Sequence, residues 1–238
     1  MPDLSIVVPA YNEGSAIVAC LDQIVATVAT PFEVLVVYDT PEDTTAPFVA
    51  SYARADPRVR PALNTYGRGP AQAIRFGLEH AQAPIAVVTM ADGSDEARLI
   101  DEMARLVAEG AAVVAASRYM RGGRQIGGPP LKRTLSRLAG VSLYWLGRVG
   151  THDATSAFKA YSTAFVREAR IESDRGFEIG LELVGKAKHM GRRVAEVPTT
   201  WRDRTEGASN FRVAAWLPTY LRWYWRALRP ARDRGAGG

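Results

Sequence analysis

Short apolar, β-branched runs alternate with helix-length segments along the first half of the chain. The runs are 4–9, 32–38, 85–90 and 112–116, with a weaker one at 59–63. Such runs are typical of strands that are buried on both faces, and their alternation with helices predicts a parallel sheet. We therefore expect an α/β fold in which helices cover both sides of a mostly parallel central sheet.

The intervening segments have the period and length of helices. These predicted helices are 15–28, 44–55, 71–81, 96–109 and 131–149. A Gly/Pro-rich stretch at 121–130 predicts a mobile loop, and 194–198 predicts a further short strand. We expect one large domain at 1–210, an amphipathic helix at 211–230 and a disordered tail at 231–238.

Composition excludes several classes of protein. The single cysteine, Cys20, rules out a disulfide framework, and the three histidines have no spacing that suits zinc. Only four of the 30 basic residues are lysines, and arginine forks suit phosphates. No basic-aromatic motif indicates nucleic acid as a partner. Because no apolar run is long enough to span a bilayer and no signal peptide opens the chain, we expect a cytoplasmic protein that can still reach a membrane surface.

The stretch 85–96 has the strongest signal for chemistry. An apolar run ends abruptly in Asp92-Gly93-Ser94-Asp95, which places carboxylates at the carboxyl edge of the sheet, where ligands bind in open α/β sheets. Oxygen ligands there suit Mg²⁺ or Mn²⁺ holding a diphosphate. From this stretch alone, an ordinary strand-to-helix turn with Asp92 or Ser94 as N-cap explains the residues equally well.

Four stretches, in order, resemble glycosyltransferase family 2. They are Ser5-Ile-Val-Val-Pro-Ala-Tyr-Asn-Glu13, the Asp92 segment, Ala116-Ser-Arg-Tyr-Met-Arg-Gly-Gly123, and Trp201-Arg-Asp-Arg-Thr-Glu-Gly-Ala-Ser-Asn-Phe211. Within the family, the chain resembles the dolichyl- and polyprenyl-phosphate mannosyltransferases. The resemblance implies the GT-A fold, a Rossmann-like α/β arrangement, in the 1–210 domain.

The resemblance also implies where the donor nucleotide binds. The implied donor-side residues are Pro9, Tyr11, Glu13, Asp39, Gly67 and Gly69. The first three would line the base and ribose, and Asp39 would contact one of them. Tyr38 stands where the family usually has a first aspartate, so only Asp39 is carried over. The Gly67 and Gly69 pair alone indicates nothing more than a turn before a helix.

The metal motif departs from the family pattern. The family usually has Asp-x-Asp, whereas this chain has Met90-Ala91-Asp92. A thioether is a poor Mg²⁺ ligand, so the expected metal ligands are Asp92 and Ser94. Magnesium often needs only one or two carboxylates with substrate phosphates and water, which predicts weak metal affinity without donor. The alternative is that Met90 marks a loss of activity.

Basic residues are implied around the two phosphates of donor and acceptor. By resemblance these are Arg118, Lys132 and Arg133, with Arg204 and Ser209 on a late loop that closes over the donor. An arginine clamp brings two anions together and stabilises charge on the leaving diphosphate. For any single arginine, a solvated surface charge is the competing interpretation.

Asp153 lies in a segment that resembles the acceptor side of the family. Many relatives use an acidic base to deprotonate an alcohol acceptor. A lipid phosphate is already ionised and needs no base. Asp153 is therefore expected to orient or bind rather than to abstract a proton.

The carboxyl-terminal segment 211–228 has an amphipathic pattern. Arg222, Arg226 and Arg229 fall on one face, and leucines and tyrosines fall opposite. Arginine and aromatic belts are typical of an interfacial anchor, which would suit a membrane-embedded acceptor. A helix packed on the protein's own core or in a homo-oligomer is the alternative. A membrane-embedded partner is also compatible with this segment.

We therefore expect an inverting glycosyltransferase, peripheral on the cytoplasmic face of a membrane. It would move a sugar from GDP-mannose or a UDP-sugar to a dolichyl or undecaprenyl phosphate. One alternative is transfer to a soluble or polysaccharide hydroxyl, and another is a catalytically silent sugar-nucleotide-binding protein. A dinucleotide oxidoreductase is disfavoured because no Gly-x-Gly-x-x-Gly follows the first strand.

Overall fold

The computed structural model describes residues 2–202 and 213–230, in which strands and helices alternate. The strands are β1 (Leu4–Pro9), β2 (Phe32–Tyr38), β3 (Val59–Leu63), β4 (Ile85–Val88), β5 (Val113–Ser117), β6 (Arg124–Ile126), β7 (Lys159–Ser162), β8 (Val194–Pro198) and β9 (Thr200–Arg202). The helices are α1 (Ala16–Thr27), α2 (Ala46–Ala55), α3 (Pro70–His80), α4 (Ile100–Ala108), α5 (Pro130–Trp145), α6 (Thr163–Ala169), α7 (Ile179–His189) and α8 (Val213–Leu228). A 3₁₀ turn, Ala97–Leu99, precedes α4.

Seven strands form the central sheet, in the order β3-β2-β1-β4-β7-β5-β8. All neighbours are parallel except β7, which runs antiparallel to both β4 and β5. The expected mostly parallel α/β sheet is confirmed, with one reversed strand in its middle. Because the other strands share a direction, their carboxyl ends meet at one edge of the sheet.

Helices cover both faces of the sheet, as the apolar runs predict. All six residues of β1 are buried, and its side chains alternate between two core clusters. Ile6 packs in the cluster formed with α1, α2 and α4, whereas Val7 packs in the one formed with α3, α6 and α7. A Cβ at Gly77 of α3 would lie 2.2 Å from Val7 Cγ1, so this glycine lets α3 lie directly on the sheet.

A buried carboxylate joins three strands at the amino edge. Glu33 Oε1 accepts hydrogen bonds from Ser5 Oγ at 2.7 Å and from Gln82 N at 3.0 Å. Its other oxygen pairs with Arg60 at 2.7 Å. Buried polar groups need such partners, and these bonds hold β1, β2 and β3 in register at the end of the sheet that is remote from the ligand-binding edge.

The Gly/Pro-rich stretch contains a strand that the sequence pattern does not predict. Within 121–130, β6 pairs in parallel with β9 to form a separate two-stranded sheet. Three residues flanked by glycines are too few to show strand periodicity, and the pairing partner lies more than 70 residues away. The neighbouring prediction of a helix at 131–149 is correct in type, but α5 ends at Trp145.

The carboxyl-terminal helix lies on the body of the protein. In α8, Trp223 is 5% exposed and Ala227 is 1% exposed, and both belong to the core cluster that contains α7. Arg222 and Arg226 both contact Glu172, at 3.2 and 3.0 Å, and both lie over the Trp223 ring. Packing on the protein's own core, one of the expected alternatives, therefore describes this face of α8. The predicted tail at 231–238 lies outside the described residues.

The longest helices of the described residues, α5 and α8, have 16 residues each. Within residues 2–202 and 213–230, no helix combines the length and the apolar character that crossing a membrane requires.

Candidate active site

The carboxyl edge of the sheet brings most of the predicted site residues together. Glu13 follows β1, Asp39 follows β2, Asp92 follows β4 and Arg118 follows β5. In open α/β sheets this is the edge at which ligands bind. The predicted residues thus occupy one surface, with the donor-side residues at the β2 end and the acceptor-side residues at the β5 end.

The loop after β1 is held by the loop after β2. Asn12 has a left-handed backbone, with φ of 55°, and its N–H donates to both oxygens of Asp43 at 3.1 Å. Glu13 N donates to Thr45 Oγ1 at 3.0 Å. Asp43 is buried and also accepts from Thr45 N at 2.8 Å. These contacts present the half-exposed Tyr11 ring and Glu13 at the edge of the sheet.

The loop after β2 is in turn tied to the loop after β3. Asp39 Oδ2 accepts a hydrogen bond from Gly69 N at 2.8 Å, and Oδ1 accepts one from the Asn64 side chain, also at 2.8 Å. Gly69 is the N-cap of α3. Sequence reasoning selected Asp39, Gly67 and Gly69 but missed Asn64, because its contact to Asp39 spans 25 residues of chain.

The segment after β4 forms a tight turn around Asp92. Asp92 Oδ1 accepts from Ser94 N at 3.0 Å, and Gly93 between them has φ of 68°. Asp95 is buried, and its Oδ2 accepts from Thr89 Oγ1 at 3.1 Å and Met90 N at 2.9 Å. Burial raises the pKa of the Asp95 carboxyl to about 7. Neither Asp92 nor Ser94 caps a helix, since the 3₁₀ turn begins after Glu96.

This turn fits a divalent ion that is held largely by its substrate. Across residues 2–202 and 213–230, no three His, Cys, Asp or Glu side chains are grouped to hold a metal. Mg²⁺ is often bound by one or two carboxylates together with substrate phosphates and water. Asp92 suits this arrangement, because the Ser94 N–H fixes the orientation of its carboxylate, and Ser94 stays a predicted second ligand. Asp95 instead stabilises the turn by accepting hydrogen bonds from Thr89 and Met90.

Glu96 joins the Asp92 segment to the start of β9. Its Oε2 accepts from Thr199 Oγ1 at 3.0 Å and from Thr200 N at 2.7 Å. Thr199 N also donates to Ser117 O, at 3.1 Å, so the segment after β4 is connected through Thr199 to the carboxyl end of β5. The strand β9 leads into the segment with Arg204 and Ser209, which lie outside the described residues. From the sequence, Glu96 is only the last residue of the 85–96 stretch, and no contact is predicted for it.

On the predicted acceptor side, Arg118 and Asp153 form a buried ion pair. The Arg118 guanidinium donates to Asp153 through Nε at 2.7 Å and Nη2 at 2.9 Å, and the Arg118 backbone N–H adds a third bond at 3.0 Å. Burial alone would raise the pKa of Asp153, but Arg118 outweighs it and holds that pKa below its usual value. Asp153 is fully buried. Its carboxylate is thus committed to orienting Arg118 and is poorly placed to take a proton from substrate.

Three hydroxyl groups form a hydrogen-bonded cluster next to the same arginine. Arg118 Nη2 donates to Ser136 Oγ at 3.2 Å, and Ser136 Oγ lies 2.7 Å from Thr155 Oγ1. The Tyr119 hydroxyl donates to Ser136 Oγ at 3.0 Å. A guanidinium beside several hydroxyls is suited to an anion such as phosphate. Sequence reasoning missed these hydroxyls, although Ser136 lies one helical turn after a predicted basic residue.

The predicted basic residues at 132–133 begin the helix that carries Ser136. Arg133 is exposed in the first turn of α5 and lies on the same face as Ser136, because residues three apart are neighbours on a helix. Lys132 belongs to the same turn. The helix start therefore places an exposed arginine next to the cluster of Arg118 and hydroxyls.

A buried lysine lies beneath this cluster. Lys159 is on β7, between Val88 of β4 and Ala115 of β5, and its Nζ donates to Ser156 O. Burial lowers the pKa of the Lys159 ammonium to about 7, although Asp153 opposes the shift. Lys159 supports the 153–156 segment from below.

The two halves of α5 have different surroundings. The second half is packed on the body: a Cβ at Gly140 would lie 2.2 Å from His152 O, Leu143 is buried, and Tyr144 stacks on His152 at 3.5 Å. In the first nine residues, by contrast, leucines are exposed. Their exposed fractions are 71% for Leu131, 47% for Leu135 and 62% for Leu138.

Comparison with known proteins connects this geometry to one family. The family profile for glycosyl transferase family 2 matches residues 5–169. The polyprenol monophosphomannose synthase of Mycolicibacterium smegmatis is 28% identical over 228 residues, covering 89% of this chain and 85% of that protein. The undecaprenyl-phosphate mannosyltransferase of Micrococcus luteus is 27% identical over 212 residues, covering 86% of this chain and 85% of that protein.

Solved structures share the fold at lower sequence identity. Glucosyl-3-phosphoglycerate synthase from Mycobacterium tuberculosis, crystallised with Mn²⁺, UDP and glucosyl-3-phosphoglycerate, superposes with a TM-score of 0.68. The two sequences are 17% identical, and the match covers 99% of this chain and 82% of that one. This similarity confirms the expected GT-A fold.

Proposed function

The chain belongs to glycosyl transferase family 2, and from this premise we propose that it transfers a sugar from a nucleotide diphosphate sugar to a polyprenyl phosphate at a membrane surface. It is a glycosyltransferase, and the proposal concerns its donor, acceptor and location. The donor would be GDP-mannose or a UDP-sugar. The acceptor would be a dolichyl or undecaprenyl phosphate on the cytoplasmic face.

One juxtaposition carries the acceptor assignment. The cluster of Arg118, Ser136 and Thr155 lies beside the first nine residues of α5, in which Leu135 and Leu138 are exposed. A site that offers cationic and hydroxyl groups next to an apolar helix surface suits a molecule with a charged head and a long apolar tail. Two relatives named for transfer to polyprenol or undecaprenyl phosphate support the same class of acceptor.

The same helix supports a location at a membrane surface. Leu131, Leu135, Leu138 and Trp145 of α5 are exposed, and so are Arg133 and Arg137. Exposed apolar side chains interspersed with arginines are the composition of helices that lie in a membrane interface. On α8, the exposed Leu217, Leu221 and Trp225 add to this surface, because Ser142 of α5 and Tyr224 of α8 are 2.9 Å apart.

On the donor side, the nucleotide would bind between the loops after β1, β2 and β3. Tyr11 and Glu13 would contact the base and ribose together with Asp39. Asp92 and Ser94 would hold a divalent ion against the diphosphate, where it would neutralise charge on the leaving group. The structural neighbour that contains Mn²⁺ and UDP supports a divalent ion of this kind.

The reaction needs no general base from the protein. An oxygen of the lipid phosphate attacks the anomeric carbon, and the bond from that carbon to the nucleotide diphosphate breaks, so the configuration inverts. Arg118 and Arg133 would hold the attacking phosphate near the donor and offset the repulsion between the two anions. Because no base is needed, the buried Asp153 would serve to orient Arg118, with which it is paired.

The test is a screen of radiolabelled GDP-mannose and UDP-sugars against short polyprenyl phosphates, with Mg²⁺ or Mn²⁺. We expect label to enter the lipid fraction for one donor. If label enters only soluble or polysaccharide hydroxyl acceptors, the assignment of a polyprenyl phosphate acceptor is wrong. The protein is then a glycosyltransferase that acts on hydroxyl groups. If the donor binds but no label moves to any acceptor, the protein is a catalytically silent sugar-nucleotide-binding protein, and Met90 marks the loss of activity.

The Asp92→Asn variant tests the metal assignment. Loss of a group that stabilises the leaving charge is expected to lower kcat by about 100-fold or more. A second readout is independent of turnover: Mn²⁺ should tighten nucleotide binding to the unmodified protein and have little effect on binding to Asp92→Asn. Equal Mn²⁺ enhancement in both proteins would show that the ion is held elsewhere.

A further inference from the structure

We propose that Asn64 is a positioning residue for the nucleoside part of the donor, acting through Asp39 and the Gly67–Gly69 turn. The inference rests on the proposed function only in that a nucleotide binds at this edge of the sheet. Asn64 immediately follows β3 and is 6% exposed, so its amide has little access to water. A buried amide with partners on two neighbouring loops is placed to set the relative position of those loops.

Three hydrogen bonds use nearly all of the hydrogen-bonding capacity of the Asn64 side-chain amide. Asn64 Nδ2 donates to Asp39 Oδ1 at 2.8 Å and to Gly67 O at 2.6 Å. Its Oδ1 accepts from Tyr66 N at 2.9 Å. Since both acceptors face Nδ2 and the donor faces Oδ1, the orientation of the amide is defined by its surroundings. One side chain therefore holds both the carboxylate and the turn.

Asp39 keeps binding capacity in this arrangement. A carboxylate offers about four lone-pair sites. Asn64 and Gly69 N each use one, on different oxygens. The remaining sites can accept from the imino or amino groups of a base, or from ribose hydroxyls. Asn64 and Gly69 together hold the carboxylate in a single orientation, so a nucleoside meets an acceptor that is already placed.

The turn on the other side of Asn64 has little freedom to compensate. Gly67 and Gly69 have φ of 120° and 116°, values that residues with a side chain rarely adopt. A Cβ at Gly69 would lie 3.1 Å from Arg175 O, so the turn is also packed against the segment before α7. If Asn64 released Gly67 O, the Gly69 N–H that holds Asp39 would shift with the turn.

The Asn64→Asp variant separates the hydrogen bonds from packing, because the two side chains have the same shape. It replaces a donor by a carboxylate 2.8 Å from Asp39 and leaves Gly67 O without its donor. We expect UDP or GDP, whichever the protein prefers, to bind about tenfold more weakly or worse by calorimetry, since lost and repelling polar contacts of this kind cost about one power of ten each. The donor KM should rise in parallel, while kcat and the acceptor KM stay within about twofold.

Two further variants keep the test decisive. Asn64→Ala removes the bonds without adding repulsion and should weaken nucleotide binding less than Asn64→Asp does. Thr163→Val is the matched control, because Thr163 Oγ1 donates to Ala83 O and Pro84 O at the opposite edge of the sheet. It should lower thermal stability without changing nucleotide affinity.

Equal nucleotide affinity in Asn64→Asp and the unmodified protein would overturn the inference while leaving the proposed function intact. A fall in the kcat of Asn64→Asp at unchanged donor KM would also overturn it. The same holds if Thr163→Val weakens nucleotide binding as much as Asn64→Asp does. If the unmodified protein binds neither UDP nor GDP, the proposed function fails together with this inference. Label that reaches no polyprenyl phosphate, with nucleotide affinity lost in Asn64→Asp, would overturn the acceptor assignment alone.

Discussion

The two sides of the sheet edge are held by different interactions. On the proposed donor side, hydrogen bonds run from loop to loop, so that the loop after β3 holds the one after β2, which in turn holds the one after β1. On the proposed acceptor side, one buried ion pair anchors Arg118, and the helix beside it leaves Leu131, Leu135 and Leu138 exposed. A preassembled cleft suits a rigid nucleotide, whereas an open apolar helix suits a long and variable chain.

This difference predicts that the acceptor side is the more sensitive to loss of a single group. Asp153→Asn removes one partner of a buried pair and leaves the Arg118 charge uncompensated. Breaking such a pair costs about 3–5 kcal/mol, so the free energy of unfolding in urea should fall by that order. Transfer to the acceptor should be lost as well, because Arg118 is no longer oriented.

The control is an ion pair of the same kind on the surface. Glu168 and Arg192 lie 2.6 Å apart with roughly half of each side chain exposed, and Glu168→Gln should change stability by less than about 1 kcal/mol. A double variant, Arg118→Met with Asp153→Asn, should recover part of the lost stability, since no buried charge is left alone. If Asp153→Asn is as mild as Glu168→Gln, the pair does not anchor the acceptor side.

On the donor side, Asp43→Ala should weaken binding rather than the chemical step. The change leaves Asn12 N and Thr45 N without their acceptor and frees the left-handed turn at Asn12. Unsatisfied buried donors cost about 1–3 kcal/mol, which predicts a rise in donor KM of about 10- to 100-fold with kcat little changed. Initial rates at varied donor concentration give both constants.

Asp56→Ala is the matched control for this variant. Asp56 Oδ1 also accepts from a backbone N–H two residues later, that of Arg58, but it follows α2 at the amino edge of the sheet. It should affect stability and leave the donor KM unchanged. A lower kcat at constant donor KM in Asp43→Ala would mean that the loop after β1 serves catalysis rather than nucleotide binding.

The sequence predicts the central strands well because each is a local pattern. The predicted bounds of β1, β2, β3 and β8 coincide with the structure. For β1 and β2 the reason is an apolar run of six or seven residues that ends in Pro9 or before Asp39. The strands β6 and β9 were not predicted, because three residues such as Arg124-Gln125-Ile126 carry no period. Their pairing is decided by tertiary contact.

The same distinction separates the predicted site residues from the missed ones. Asp39, Asp92 and Arg118 stand at strand ends and belong to motifs, so the sequence points to them directly. Asn64, Asp43 and Ser136 act through hydrogen bonds to residues 17 to 31 positions away, and nothing in their local sequence reveals the partner. The roles predicted for Arg118, Arg133 and Asp153 stay predictions, although the pairing of Arg118 with Asp153 favours an orienting role for the acid.

The smallest expected effect concerns the exposed helix surface. Leu138 is 62% exposed on α5, so Leu138→Ser should leave the free energy of unfolding nearly unchanged. If this surface enters a membrane interface, the loss of part of one leucine's burial, about 1 kcal/mol, should lower partitioning to vesicles about fivefold. Sedimentation with vesicles that contain anionic lipid measures the bound fraction, and transfer to a detergent-dispersed short-chain acceptor should be retained.

Phe48→Ser is the control that distinguishes vesicle binding through the α5 surface from nonspecific binding through any exposed apolar residue. Phe48 is 39% exposed on α2, a helix that packs against α1 and β3 at the other end of the sheet. It should not alter vesicle binding, because α2 lies away from the α5 surface. Equal losses in Leu138→Ser and Phe48→Ser would mean that vesicles bind exposed apolar residues anywhere. If the bound fraction of Leu138→Ser is unchanged, α5 does not contact the membrane. The exposed surface of α5 would then favour a soluble acceptor.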